Sequence, residues 1–286
     1  MHRRAFQIGV LTWLAVLAGA GSIAFAQQRP LVTEDPEVIG PGRMLVEGGI
    51  TYERDISFPA SGLRGNLLTA PVAGVSIGLG SLVELQLDGA FRRRLAITDR
   101  QPAPLSDPLN FTGDHTSSIG DFVLATKVRV VSERPGRPAF GLRFATKLPN
   151  ASNERGLGLD TIDFYSSLLV GKTVRSVRVV GNVGLGILSD PTNGTRQNDV
   201  LTLGASLARA LTNVVEVVGE LNGHAVTRSG VPPPGTESRA TMRLGGRLTQ
   251  RTMRLDAAFV AGLTARDPSW GVTVGATYVW DAFNLP

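Results

Sequence analysis

The stretch IGDFVLATKVRV, residues 119–130, sets Asp121, Lys127 and Arg129 on one parity and Phe122, Leu124, Val128 and Val130 on the other. Period-two alternation marks a strand with two unlike faces. From Arg43 onward the pattern recurs, broken by turn residues and almost free of helical spacing. It predicts about twelve strands, over 43–54, 67–79, 82–97, 118–132, 138–149, 160–173, 176–188, 199–211, 213–227, 237–249, 252–265 and 269–281. Most exceed the roughly five or six residues of a globular strand. They reach the roughly 9 to 11 residues that cross a bilayer at a tilt.

The connections sort by length. DISFPASGLRGN, DRQPAPLSDPLNFTGDHTS, NASNERGLGLD, SDPTNGTRQN, TRSGVPPPGTES and RDPS alternate with the tight Gly80-Ser81, ERPGRP, Arg175, Thr212 and QRT. Outer-membrane barrels have short periplasmic turns and longer extracellular loops. A secreted β-sandwich, the competing all-β reading, gives no reason for such sorting. The fold class expected is therefore an all-β, transmembrane, antiparallel up-and-down barrel of about twelve strands.

Facing then follows from cost. Val83, Leu85, Leu87 and Phe91 oppose Glu84, Gln86, Asp88 and Arg92, and Met242, Leu244 and Leu248 oppose Arg239, Arg243 and Arg247. An Arg or Lys turned toward lipid at midplane costs about 2 to 4 kcal/mol, so the polar parity belongs to the lumen. The inward acids expected are Glu47, Glu53, Glu84, Asp88, Asp121, Asp163, Glu216, Glu220 and Asp256. The inward bases are Arg92, Lys127, Arg129, Arg143, Lys147, Arg178, Arg239, Arg243, Arg247 and Arg254. The two sets nearly balance, which predicts cross-strand ion pairs and weak gross ion selectivity. About twelve strands enclose more space than side chains fill and less than an open porin. Pore lining is expected from Glu84, Asp88, Asp121, Lys127, Arg129, Arg143, Lys147, Asp163, Arg178, Glu216, Glu220, Arg239, Arg243 and Arg247. The narrowest part is expected at Lys127, Arg129, Arg143, Lys147, Arg243 and Glu220.

The start of the chain adds a compartment. Met1–Arg4 is basic, an apolar run follows, and Ala24-Phe25-Ala26 is an A-x-A cleavage pattern. Residues 1–26 read as a secretory signal peptide, residues 27–42 as an N-terminal periplasmic segment, and 43–286 as the barrel. An uncleaved anchor is the competing reading of the apolar run. The 286 residues are 42% hydrophobic and 19% charged and contain no cysteine, which leaves no disulfide framework, lipid-acylation site or thiolate metal site. The formal net charge of +5 falls to +3 without Arg3 and Arg4, weak support for a nucleic-acid partner. The last strand, TVGATYVW, resembles, in the spacing of Gly275, Tyr278 and Trp280, the insertion signal read by the barrel-assembly machinery, with both aromatics expected at a membrane interface. It departs from that signal in the six residues DAFNLP that follow Trp280, and an ordinary edge strand is the competing reading. Aromatic content of 6% predicts sparse girdles.

IGDFVLATKVRV followed by PAFGLRFATKLPNAS, with GNVGLGILSD, resembles a family of bacterial outer-membrane channel proteins of the phenol-degradation meta-pathway. Where that family has Leu-Pro-Thr-Gly, this chain has Leu148-Pro149-Asn150-Ala151. The resemblance implies an outer-membrane barrel passing small aromatic or hydrophobic compounds.

Other chemistry is thinner. DHTSS sets His115 and Ser117 two apart, as in a barrel phospholipase, but in an expected loop and without an orienting partner. His224 reads as an ordinary lumen residue, and no Asp/Glu/His cluster has ligand spacing. GVSIGLGS lacks the strand-to-helix context of a phosphate loop. FRRRLAITDR is a basic cluster at an extracellular strand end, suited either to lipopolysaccharide phosphates or to a solvated rim. The expectation is a non-enzymatic, porin-like channel without cofactor or metal, monomeric or weakly oligomeric. Its partners are outer-membrane lipids, the assembly machinery and small solutes. The alternatives are a closed structural or adhesive barrel that binds a partner through its loops and, behind it, a rim lipid hydrolase.

Overall fold

The computed structural model describes residues 29–284; the expected signal peptide, 1–26, lies outside them. Fourteen strand segments are present: β1 Arg43–Phe58, β2 Leu63–Gly78, β3 Val83–Ala90, β4 Arg93–Arg100, β5 His115–Ser118, β6 Val123–Val131, β7 Ala139–Lys147, β8 Asp163–Val174, β9 Val177–Ser189, β10 Gln197–Ala210, β11 Val215–Val226, β12 Arg239–Gln250, β13 Met253–Gly262 and β14 Trp270–Asp281. β3 and β4 pair in succession with β2, and β6 and β5 pair in turn with β3 and β4. Each couple is one long strand with a break, so the wall has twelve strands. β1 pairs antiparallel with both β2 and β14, which closes the sheet. Closure satisfies every ladder without an edge, the condition for strands in hydrocarbon.

The wall is inverted relative to a soluble protein. Glu84, Gln86, Lys127, Asp163, Glu220, Arg254 and Asp256 are buried, whereas Leu87, Leu124, Val183, Leu185, Leu203, Leu244 and Phe259 are exposed. Turns 79–82, 132–138, 175–176, 211–214 and 251–252 stand at one end, with the entry to β1. Longer loops 101–114, 148–162, 190–196, 227–238 and 263–269 stand at the other, the extracellular end by their length.

Three local differences from the sequence expectation have physical causes. DISFPASGLRGN is mostly ladder, because Ile56, Ser57 and Phe58 pair with Gly65, Arg64 and Leu63 beyond a bulge at Glu53–Ile56. His115 and Ser117 lie on β5, paired to β4, and not in a loop. Arg92, expected inside, is exposed. Ala90 is the last buried residue of the even parity that runs through Glu84 and Gln86, and Leu95 resumes burial on the odd parity. A break at Phe91–Arg92 thus inverts the facing, as bulges do.

Val183 sits mid-strand on the exposed face of β9. Val183→Arg is expected to lower unfolding stability in lipid by about 2 to 4 kcal/mol, measured by equilibrium denaturation with a heat-modifiable gel shift as the readout of closure.

Candidate functional site: a belted lumen

The interior is organised by direct opposition of charge across the ladders. Glu216 faces Arg247, Glu220 faces Arg243 and Lys147 faces Asp163 in register. Arg243 donates to Glu220 at 2.7 Å, and the Lys147 ammonium lies 2.8 Å from Asp163 and 3.6 Å from Asp121. Glu216 lies 3.8 Å from Arg247 and 3.9 Å from Arg254. Lys127, 0% exposed, lies 3.2 Å from the equally buried Glu84. Arg143 donates to Gln86 at 2.8 Å and lies 3.9 Å from Asp88. Arg239 stands apart from these, toward the long loops, 3.7 Å from Asp267 and donating to the Arg266 and Ser57 carbonyls.

What the strand pattern does not reveal is a second ring inside the first. Residues 29–39, expected as a periplasmic segment, run around the inner wall as a belt without regular structure. The Ile39 N–H donates to Glu84 (2.8 Å), and Arg129 pairs with Glu37 (2.6 Å). Arg178 grips Asp35 with two donors (2.8 and 2.6 Å). Glu34 pairs with Arg143 (2.9 Å) and lies 3.5 Å from Lys127, while its backbone exchanges two hydrogen bonds with Asn182. The Val32 and Thr33 N–H groups converge on the Glu220 carboxylate at 2.8 to 3.0 Å. Leu31 packs on Ala208 and Val218. Arg29 ends the run, donating to Thr273 and the Val274 carbonyl (both 3.0 Å) and lying 3.5 Å from Asp256, while its own carbonyl accepts from Arg247 (2.8 Å). From β3 to β14 the belt touches most of the circumference.

Its bed is made of glycine. A Cβ on Gly49 or Gly275 would collide with the Arg29 guanidinium, one on Gly171 with Pro36, and one on Gly78 with the Gly40 carbonyl. Close backbone approach is the use of such strand glycines. Gly275, expected within an insertion signal, thus also seats Arg29. Tyr278 and Trp280 lie outside, stacked with centroids 5.4 Å apart. The one trace of the belt in the sequence is its composition, which the strand pattern does not use: Glu34, Asp35 and Glu37 in TEDPE answer the wall bases Lys127, Arg129, Arg143 and Arg178.

At the turn end, Glu133 joins the belt network through Arg178 and lies 3.2 Å from Lys172. Burial pushes its carboxyl up, but the Thr173 N–H, Lys172 and Arg178 outweigh that and hold it below the ordinary range. A depressed carboxylate stabilises the fold at neutral pH and loses that contribution as pH falls.

Above the belt a cavity of about 370 Å³ is lined by Glu34, Arg143, Tyr165, Asn182, His224 and Arg243, among others. At the mouth, loop 148–162 folds inward: Ser61 Oγ and Arg93 donate to the Gly156 and Leu157 carbonyls, and Leu157 packs on Ile56, Leu63, Leu67 and Leu95. A smaller space of about 200 Å³ lies beneath it. Among the described residues no group of three His, Cys, Asp or Glu is placed to hold a metal, and no hydrogen bond joins His115 to Ser117.

Residues 27–280 match the family described as "Putative MetA-pathway of phenol degradation". The chain belongs to that family. No curated protein matches it by sequence. Among solved structures it resembles an outer-membrane channel from Pseudomonas putida F1, at 11% identity and a TM-score of 0.60 over 86% of this chain and 98% of that one. The NanC porin aligns at 6% identity and a TM-score of 0.49 over 82% of this chain and 98% of that one. The fold is that of an outer-membrane barrel.

Glu220→Ala removes the acceptor shared by Val32, Thr33 and Arg243. Breaking a buried pair from one side is expected to cost about 3 to 5 kcal/mol, measured by denaturant unfolding in detergent. Limited proteolysis is expected to cut within residues 29–39 in the variant and to spare them in the wild type.

Proposed function

We propose that the barrel lets small solutes cross the outer membrane passively, through a charged lumen whose narrowest level is the belt and the ionised wall facing it. The observation that carries this reading is the ring of contacts from Ile39–Glu84 round to Arg29–Asp256, with a cavity of mixed polar and apolar lining directly above it. Lys127, Arg129, Arg143 and Glu220 touch the belt, and Arg243 reaches it through Glu220. Lys147 lies beside Thr161 of the mouth loop and lines the approach. The fourteen pore-lining residues expected from the sequence divide between these two levels in this reading.

Small aromatic or hydrophobic solutes fit the family's description and the cavity's composition. Tyr165 and Leu169 line it on β8, facing inward beside Arg143. An aromatic face and a guanidinium together suit a ring bearing a hydroxyl or carboxylate.

Belt and wall also set selectivity. The described part of the belt holds one cation, Arg29, against Glu34, Asp35 and Glu37. Its removal leaves an interior richer in positive charge. In planar bilayers a variant lacking residues 29–39 is expected to conduct more than the wild type and to prefer anions. Arg243→Ala with Arg247→Ala is expected to move preference the other way. Unchanged single-channel currents in both variants overturn the belt as the narrowest level. An absence of currents from wild type and variants alike overturns the channel reading in favour of a closed structural or adhesive barrel. That barrel conducts nothing and loses its partner when loop residues 101–114 and 228–236 are trimmed.

A further inference from the structure

Almost every guanidinium inside the wall has a carboxylate or a carbonyl to hold. Outside it, the neighbouring Arg92 and Arg94 do not. Arg92 and Arg94 are exposed, and among the described residues neither side chain makes an ion pair or a hydrogen bond. Arg92 stands at the strand break, and Arg94 follows on β4. The outward acids on the flanking strands are occupied: Asp55 is held by two donors of Arg64, both at 2.7 Å, and Asp99 by the Arg100 N–H and Gln101. Asp114, exposed in the loop before β5, lies beyond His115, on the water side of the pair.

The height of the pair on the wall follows from the register. Arg94 lies opposite Leu68 on one side and Ser117 on the other, and Leu68 lies opposite Tyr52. The Tyr52 ring meets Trp270 at 5.7 Å, and Trp270 stacks on Phe259 at 6.5 Å. Such outward aromatics mark the boundary between hydrocarbon and water, here at the long-loop end. Ser117 and His115, both exposed, add hydrogen-bonding groups at or above that row. Below it the surface is apolar: Leu87 faces Leu124 across β3 and β6, and Phe91, 58% exposed, meets Phe122 edge to face at 5.8 Å. An acyl-sized hydrocarbon facet is thus capped, at the membrane boundary, by two unpaired guanidiniums. Guanidinium matches phosphate in geometry as well as charge.

We propose that this patch binds a phosphorylated glycolipid of the outer leaflet, lipid A, with a phosphate on Arg92 and Arg94 beside Ser117 and the acyl chains along Leu87, Phe91 and Leu124. The site is independent of what the lumen carries.

The test uses the full-length mature chain refolded in detergent and titrated, by native mass spectrometry, with bis-phosphorylated lipid A, the same lipid stripped of both phosphates, and inorganic pyrophosphate. Lipid A is expected to be retained, with the phosphate-free lipid about tenfold weaker and pyrophosphate weaker still. Arg92→Ala with Arg94→Ala is expected to weaken lipid A about tenfold, the double Lys replacement less. Arg209→Ala, an exposed arginine at the opposite rim, serves as the control and is expected to change nothing. Equal retention of the phosphate-free lipid, or an unchanged double-alanine variant, overturns the proposal. Pyrophosphate binding as tight as lipid A overturns the glycolipid assignment. Should the alanine variant fail the heat-modifiable gel shift, the three-ligand comparison on the wild type decides alone.

Discussion

Ionised groups taken out of bulk water must find opposite charge or hydrogen bonds close by, and this constraint orders the whole molecule. The outer surface of the wall meets hydrocarbon, so charge is confined to the interior of a closed sheet. There, opposition in register satisfies part of it: Glu220 with Arg243, Glu216 with Arg247, Lys147 with Asp163. The remainder is met by a segment that is not part of the sheet. Lys127, Arg129, Arg143 and Arg178 each reach a carboxylate of residues 34–37, and Asp256 reaches Arg29.

Seen this way, wall and belt are one electrostatic unit. The belt has no ladder of its own; its backbone groups are satisfied by side chains of the wall, Glu84, Asn182 and Glu220 among them. Glycines on the facing strands let it lie close enough for those contacts to form. The sheet supplies rigidity and the belt supplies the charge that the sheet lacks, so loss of either leaves buried ions exposed to an uncompensated interior.

Much of the wall was legible in the sequence because both of its causes are periodic. Alternation with period two placed the strands, and the asymmetry of the connections placed the two ends. The features that escaped are aperiodic. The break at Phe91–Arg92 moves a residue to the other face without any change in composition, so Arg92 read as an inward base. The extension of β1 and β2 through DISFPASGLRGN was masked by Pro, Gly and Ser, which signal turns whether or not a ladder runs beside them. The belt carries no pattern at all, since coil is specified by its partners. Its acids were visible in TEDPE, but nothing local said that they answer bases more than ninety residues away on β6, β7 and β9.

One consequence follows from the belt's continuity with β1. Because Ile39 is joined to Arg43 by three residues, the segment is a tethered occupant and not a free ligand. Anything that competes for the same wall groups does so against a local concentration on the millimolar scale that dilution cannot lower. Weakening single contacts should therefore loosen the occupant by degrees, and each vacated arginine or lysine remains within reach of the carboxylate it has just released.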